Sequence, residues 1–370
     1  MEIALSIPLQ RCHAHNHVGT SFDSISPTLS EKRSMFIIGM GFVGQSLARK
    51  LHNQGWAVSG TCTTHVKKQQ LQHMGFHVHL FDANHPDLDI LRLLKNYTHI
   101  LVSVPPLVGI GDPMLQHEEL FRRSLVNSDV QWLSYLSSTS ESTMKLIVME
   151  RLSILQVSME TVLVNWWMRM CASCCGSYST NPESELARLR LNSEEGWSNL
   201  SYDLGISPLL FRLGGIYGPG RSAIDTIIKQ KPMSEGQKRR KHRKYTSRVH
   251  VDDICQALMA TVDVPSPRLC SLSQFAHPFR EVYNIVDDDP APREEVFEYA
   301  MKLVEEKWPG LKLQSVEQSQ KEWSRVNPKG DKRVSNARMK RELGVQLLFP
   351  DYKSGLKSII DQIQSPFHCH

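Results

Sequence analysis

The segment MFIIGMGFVGQSLARKLHNQG (Met35–Gly55) narrows the possible folds of this chain more than any other stretch. A short apolar strand runs into a turn, and the turn opens a helical pattern with Val43, Leu47 and Leu51 on one face, closed by Gly55. Gly39, Gly41 and Gly44 stand in G-x-G-x-x-G spacing. The first glycine permits a tight turn. The second lets the backbone approach a pyrophosphate. The third lets helix and strand pack closely, with the helix N-terminus facing the phosphates. A turn that needs glycines only for packing has the same spacing. The order strand, turn, helix, strand is the context that dinucleotide binding requires. Gly39, Gly41, Phe42, Val43 and Gly44 are therefore candidate cofactor contacts.

The units that follow repeat this logic. WAVSGTC, FHVHLFDAN, HILVSVPP and VQWLSYLSS are continuous apolar strands, and Val66 to Met74 has a helical pattern stopped by Gly75. Apolar runs of this kind, alternating with helices, predict an α/β fold with a Rossmann-type, doubly wound parallel sheet. SPLLFRLGGIYGPG adds a strand and turn, and REEVFEYAMKLVEEKWPG a helix with Val296, Ala300, Leu303 and Val304 on one stripe. The expected organisation is an extension over 1–33, a dinucleotide-binding domain over 34–215 and a small C-terminal substrate lobe over 216–370. The site is expected in the crevice between domain and lobe.

About 20 residues after the glycine turn, an acid usually holds the ribose of NAD. The window SGTCTTHVKK has none. Thr61, Thr63 and Thr64 offer hydroxyls, and Lys67 and Lys68 offer charge, which favours NADP over NAD. The same lysines also fit an exposed helix face. Asp82 is placed either to reach the adenine edge or to cap the next helix.

The bulk composition excludes several classes. With 370 residues and 41% hydrophobic content, the chain can bury a sizeable core. No apolar run approaches the ~18 residues of a membrane span. The net charge of +5 is local: Lys229–Arg248 holds nine Lys and Arg against one Glu, a balance of +8 that leaves −3 elsewhere. A nucleic-acid partner is not indicated. Cys171, Cys174 and Cys175 have no second cluster to complete a zinc site, so no metal is expected. The first 33 residues, rich in Ser and His, read as either a transit-like or a disordered extension, giving plastid or cytoplasm as the compartment.

GMGFVG, FDAN, YLSSTS, FRLGGIYGPG, RVHVDDIC and YNIVDDDPAPREEVFEYA occur in an order that resembles the extended, atypical short-chain dehydrogenase/reductase family, the NAD(P)-dependent epimerase/dehydratase group. The resemblance implies that Ser138 or Thr139 holds a substrate hydroxyl or carbonyl. It implies that Val104, Pro105 and Gly215 border the cofactor. It also implies that Tyr217, Arg221 and Arg248 meet a small anionic, nucleotide-sugar-like substrate, with a homodimer as the possible assembly. His250 and Asp252 are expected to orient the lobe.

The family's Tyr and Lys are another matter. A phenol with pKa near 10 is a poor base until a cation stabilises its anion. The family supplies that pair in Pro-x-Ser-x-Tyr-Gly-x-x-Lys. Here NPESELARLR places Leu186 at the Tyr position and Arg190 at the Lys position. Tyr178, upstream, has no Lys at the required spacing. An apolar insertion at about 141–180, with Trp166 and Trp167 adjacent, separates the strand-end hydroxyls from this helix. The expectation is an epimerase, dehydratase or reductase of weakened catalysis. The alternatives are a non-catalytic dinucleotide-binding sensor or an inactive product of altered splicing.

Overall fold

The computed structural model describes residues 33–82, 87–139, 185–229, 245–263, 281–311 and 331–366, with only the backbone at 331 and 332. The insertion at 141–180, the basic run at 238–244, the cysteine cluster at 171–175 and the extension at 1–32 lie outside them.

Seven strands form one parallel sheet: β1 (Ser34–Ile38), β2 (Ala57–Cys62), β3 (His77–Leu80), β4 (His99–Val102), β5 (Trp132–Ser138), β6 (Leu209–Leu213) and β10 (Glu281–Ile285). Their order across the sheet is β3-β2-β1-β4-β5-β6-β10. In β1, Met35 lies opposite Val58 of β2 on one side and His99 of β4 on the other. The winding reverses between β1 and β4, so a crevice opens beyond their C-terminal ends.

The strands read as apolar runs because both sheet faces are covered. Met35 and Ile37 point into one cluster with Val43, Leu47 and Leu51 of α1 (Phe42–Asn53). Phe36 and Ile38 point into the other, with Ile90, Phe121, Trp197 and Leu200. Those residues come from α3 (Asp89–Leu93), α4 (Glu118–Leu125) and α5 (Glu185–Asp203); α2 (His65–His73) lies between β2 and β3 in the chain. On that second face Glu194 of α5, fully buried, takes a forked bond from Arg212 of β6: Nε to Oε1 at 2.9 Å and Nη2 to Oε2 at 2.6 Å. Burying two charges is costly, and the fork with its hydrogen bonds offsets that cost.

After β6 come β7 (Gly215–Tyr217), α6 (Ala223–Ile228), β8 (Tyr245–Thr246), β9 (Arg248–His250) and α7 (Val251–Val262). Beyond β10 lie α8 (Arg293–Lys307), β11 (Asp331–Lys332), α9 (Ala337–Leu343) and α10 (Tyr352–Gln362). β7 pairs with β9, and β8 with β11. A third cluster joins Tyr217, Ile224, Val296, Leu303, Tyr352 and Leu356, uniting α6, α8 and α10. The predicted stripe Val296, Ala300, Leu303, Val304 is the buried face of α8. Residue 215 is not a boundary between layers. The seventh sheet strand and α7, whose Ile254 and Leu258 join the cluster of α1, both come from beyond it.

Candidate functional site

Gly39 holds φ at +95°, where only glycine is unstrained, and a Cβ there would lie 2.9 Å from Val104. Its N–H donates to Thr61 Oγ1 at 2.9 Å, and the Met40 N–H to the Thr61 carbonyl at 2.7 Å. The end of β2 thus fixes the turn. At Gly44 a Cβ would lie 2.6 Å from the Gly39 carbonyl oxygen, so this glycine serves close packing. Gly41 is different. It is exposed, its φ of −76° suits any residue, and a Cβ there would meet nothing within 4 Å. Nothing among the described residues explains a glycine at this position. An incoming phosphate would, because Gly41 caps α1, whose first turn contains no acid. The residues present therefore fit a dinucleotide pyrophosphate.

The neighbouring hydroxyls divide. Thr61 is buried and accepts the Gly39 N–H. Thr64 caps α2 by accepting the Lys67 N–H at 3.3 Å, while Thr63 and Asp82 are exposed. Lys67 Nζ donates to Gln45 Oε1 at 2.9 Å, bringing a cation from α2 beside the first turns of α1. Val104 packs on Gly39, and Pro105 is exposed beside it.

At the end of β5, Thr139 is fully buried and its hydroxyl donates to the Leu213 carbonyl at 3.2 Å. Ser138 is half-buried at the strand end. Leu186 and Arg190 lie on α5, which packs along β5, and both are half-buried. Tyr135, inside β5, is buried against Trp197 and pushed above its ordinary range, first by burial and then by Asp112. Tyr217 is raised as well, first by burial and then by Asp287 and other carboxylates; its hydroxyl donates to the Asp351 carbonyl at 3.4 Å and abuts Gly355. Tyr283 and Tyr352 are also raised by burial. All four of these tyrosines are shifted away from the anion that a general base requires.

A cavity of about 390 Å³ is lined by residues from β7, α6, β8, β9, α8 and α10 and the turn before α6. Gly215, Tyr217, Arg221 and Arg248, all expected at the site, line it, together with Lys229, Arg293, Phe297 and Tyr352, which sequence reasoning missed. Four cations over an aromatic floor, against Asp225, suit an anionic ligand. Arg293, stacked 4.1 Å from the Phe297 ring centroid, opens α8, and its position in the first turn of a predicted helix was the only available signal. Arg248 is held from behind: Nη1 donates to the Thr246 and Ala291 carbonyls, both at 2.8 Å.

Behind Arg248 sits Asp287, also missed. It is 2% exposed, its Oδ1 accepts the Arg248 N–H at 3.2 Å, and its Oδ2 has no hydrogen-bond partner among the described residues. Burial pushes this carboxyl up to about 8. His250 Nδ1 accepts the Asp252 N–H at 3.2 Å and so caps α7; burial lowers the imidazole to about 4.

No family model matches the sequence, and no curated protein does. Solved structures do. A functionally unknown conserved protein from Silicibacter pomeroyi is 25% identical, with 90% of this chain and 100% of that one covered and a TM-score of 0.60. UDP-glucose 4-epimerase from Thermotoga maritima, solved with UDP-glucose, is 12% identical, with 89% and 97% covered and a TM-score of 0.59. UDP-glucuronic acid 4-epimerase from Bacillus cereus, solved with UDP-glucuronic acid and NAD, is 14% identical, with 88% and 98% covered and a TM-score of 0.57. The chain has the Rossmann fold of the NAD-dependent epimerases and dehydratases, as its motif order implies. No helix among the described residues is long and apolar enough to cross a membrane.

Proposed function

We propose that this chain binds NADP(H) in preference to NAD(H) at the Gly39–Gly44 turn. We further propose that its cavity takes an anionic, nucleotide-sugar-like small molecule, on which it acts as a slow epimerase, dehydratase or reductase. The observation that carries the reading is Gly41, a glycine without a packing reason at the N-terminus of an acid-free first helical turn. The preference for NADP rests on Lys67 beside that turn and on the lack of an acid in the window after β2. Support for the substrate class comes from the cations Arg221, Lys229, Arg248 and Arg293, and from neighbours solved with UDP-sugars. The dinucleotide, when bound, supplies hydride transfer; Ser138 would orient the reacting group. Plastid or cytoplasm stays the compartment in this reading, on the first 33 residues alone, and a homodimer enters only through the family resemblance.

A second reading, a dinucleotide-binding sensor without turnover, is favoured by Leu186 and by the raised tyrosines. Titration of purified protein with NADPH and NADH at matched salt tests the first step. NADPH should bind tighter, and Gly41→Val should abolish binding while the protein stays folded, since that Cβ clashes with nothing of its own. Equal or tighter NADH binding rejects the preference, and undiminished affinity in Gly41→Val rejects the site.

A further inference from the structure

Arg221 stands where the glycine turn and the cavity meet. Its backbone is fixed by a reciprocal pair of bonds with Gly218, at 3.0 and 3.1 Å, in a turn that includes Gly220 at φ +80°. That turn rests on Phe42, since a Cβ on Gly218 would lie 3.2 Å from Phe42 Cζ. Phe42 opens α1, one residue after Gly41. The Arg221 guanidinium carbon lies 5.4 Å from the Phe42 ring centroid, and the same side chain lines the cavity. Stacking uses the face of a guanidinium and leaves its N–H edge for acceptors. The edge of Arg221 therefore borders two anion sites, one at the first turn of α1 and one in the cavity.

We propose that Arg221 is a ligand shared by both: its guanidinium, stacked on Phe42, donates to the dinucleotide pyrophosphate and to the anionic group of the cavity ligand. This rests on the proposed dinucleotide site. A cation between two anions screens their repulsion, so the two ligands tolerate each other while Arg221 is present and oppose each other without it. Arg248, held by the Thr246 and Ala291 carbonyls, serves the cavity alone.

Calorimetric titration of the full chain with NADP⁺, with UDP, and with each in saturating amounts of the other tests the proposal. In wild type, UDP should leave NADP⁺ affinity unchanged or improved. Arg221→Met should weaken NADP⁺ and UDP each about tenfold or more, and UDP should then weaken NADP⁺ further. Arg221→Lys, which keeps the charge but loses the fork, should fall between. Arg248→Met should weaken UDP alone. Wild type that binds neither NADP⁺ nor NAD⁺ overturns the dinucleotide reading and this proposal with it; if NAD⁺ alone binds, the same titrations are made with NAD⁺. NADP⁺ bound equally by wild type, Arg221→Met and Arg221→Lys leaves that reading standing and overturns this one, as does wild type that binds NADP⁺ but not UDP.

Discussion

Replacing Asp287 with Asn probes the most unusual carboxyl of the structure, the one bonded to the N–H of the cavity residue Arg248. The carboxyl is 2% exposed, has one oxygen without a hydrogen-bond partner among the described residues, and is pushed up to about 8, with burial the largest cause and the Arg248 N–H and charge acting against it. In the unfolded chain it returns to about 3.9. Between about pH 4 and pH 8 the folded state therefore holds a proton that the unfolded state has released. Stability falls as pH rises through that window, by up to about 1.4 kcal/mol per unit, and levels off above it. Asn has the shape of the neutral acid and keeps an acceptor for the Arg248 N–H. From pH 5.5 to pH 7.5 the variant should gain about 2–3 kcal/mol on wild type. Urea unfolding of both proteins at pH 5.5, 6.5, 7.5 and 8.5 measures this directly. A difference that is flat with pH, or one that moves in favour of wild type, would mean that Asp287 is already ionised at pH 5.5 and neutralises Arg248. The charge assignment of the cavity would then be refuted.

Gly44→Ala should displace the turn, because its Cβ would lie 2.6 Å from the Gly39 carbonyl oxygen; a loss of about 1–3 kcal/mol in denaturant unfolding is expected, together with loss of NADPH binding. Glu194→Gln leaves the Arg212 charge buried without its counter-ion and should cost about 3–5 kcal/mol by the same assay; a change under about 1 kcal/mol would show that water reaches the pair. Restoring the missing acid/base pair as Leu186→Tyr with Arg190→Lys should raise turnover of UDP-glucose about a hundredfold or more if that sugar is a substrate class member. A wild-type chain already as fast as dyad-bearing epimerases would mean that another group moves the proton.

The glycine turn and six of the seven sheet strands were legible because their signals are local. A parallel strand buried on both faces must be apolar throughout, and a tight turn into a helix must use glycine. The task of Thr61 was not legible. Its hydroxyl serves the Gly39 N–H rather than a ribose because the pairing of β1 with β2 brings the two together, and a lone sequence does not carry that register. Asp287 was hidden for a related reason. VDDDP reads as an exposed acidic loop, yet its first aspartate is sealed between Arg248 and Tyr217, residues some 40 and 70 positions away. Arg248 was found by resemblance, but its anchoring carbonyl at Ala291 could come only from the folded chain.

The position of β10 has a consequence for how the protein is made. Among the described residues this strand forms one edge of the sheet, pairing only with β6, and it is the last of the seven to leave the ribosome. Roughly 70 residues separate Leu213 from Glu281, which at about 5–20 residues per second means a delay of some 3–14 s. Throughout that interval the sequence LLFRL presents an open row of amide and carbonyl groups beside apolar side chains. A nascent chain paused there is a template for intermolecular pairing, and a chain truncated before residue 281 keeps that edge open for good. Synthesis conditions that slow translation across 214–280 should therefore lower the soluble yield more than equal slowing elsewhere.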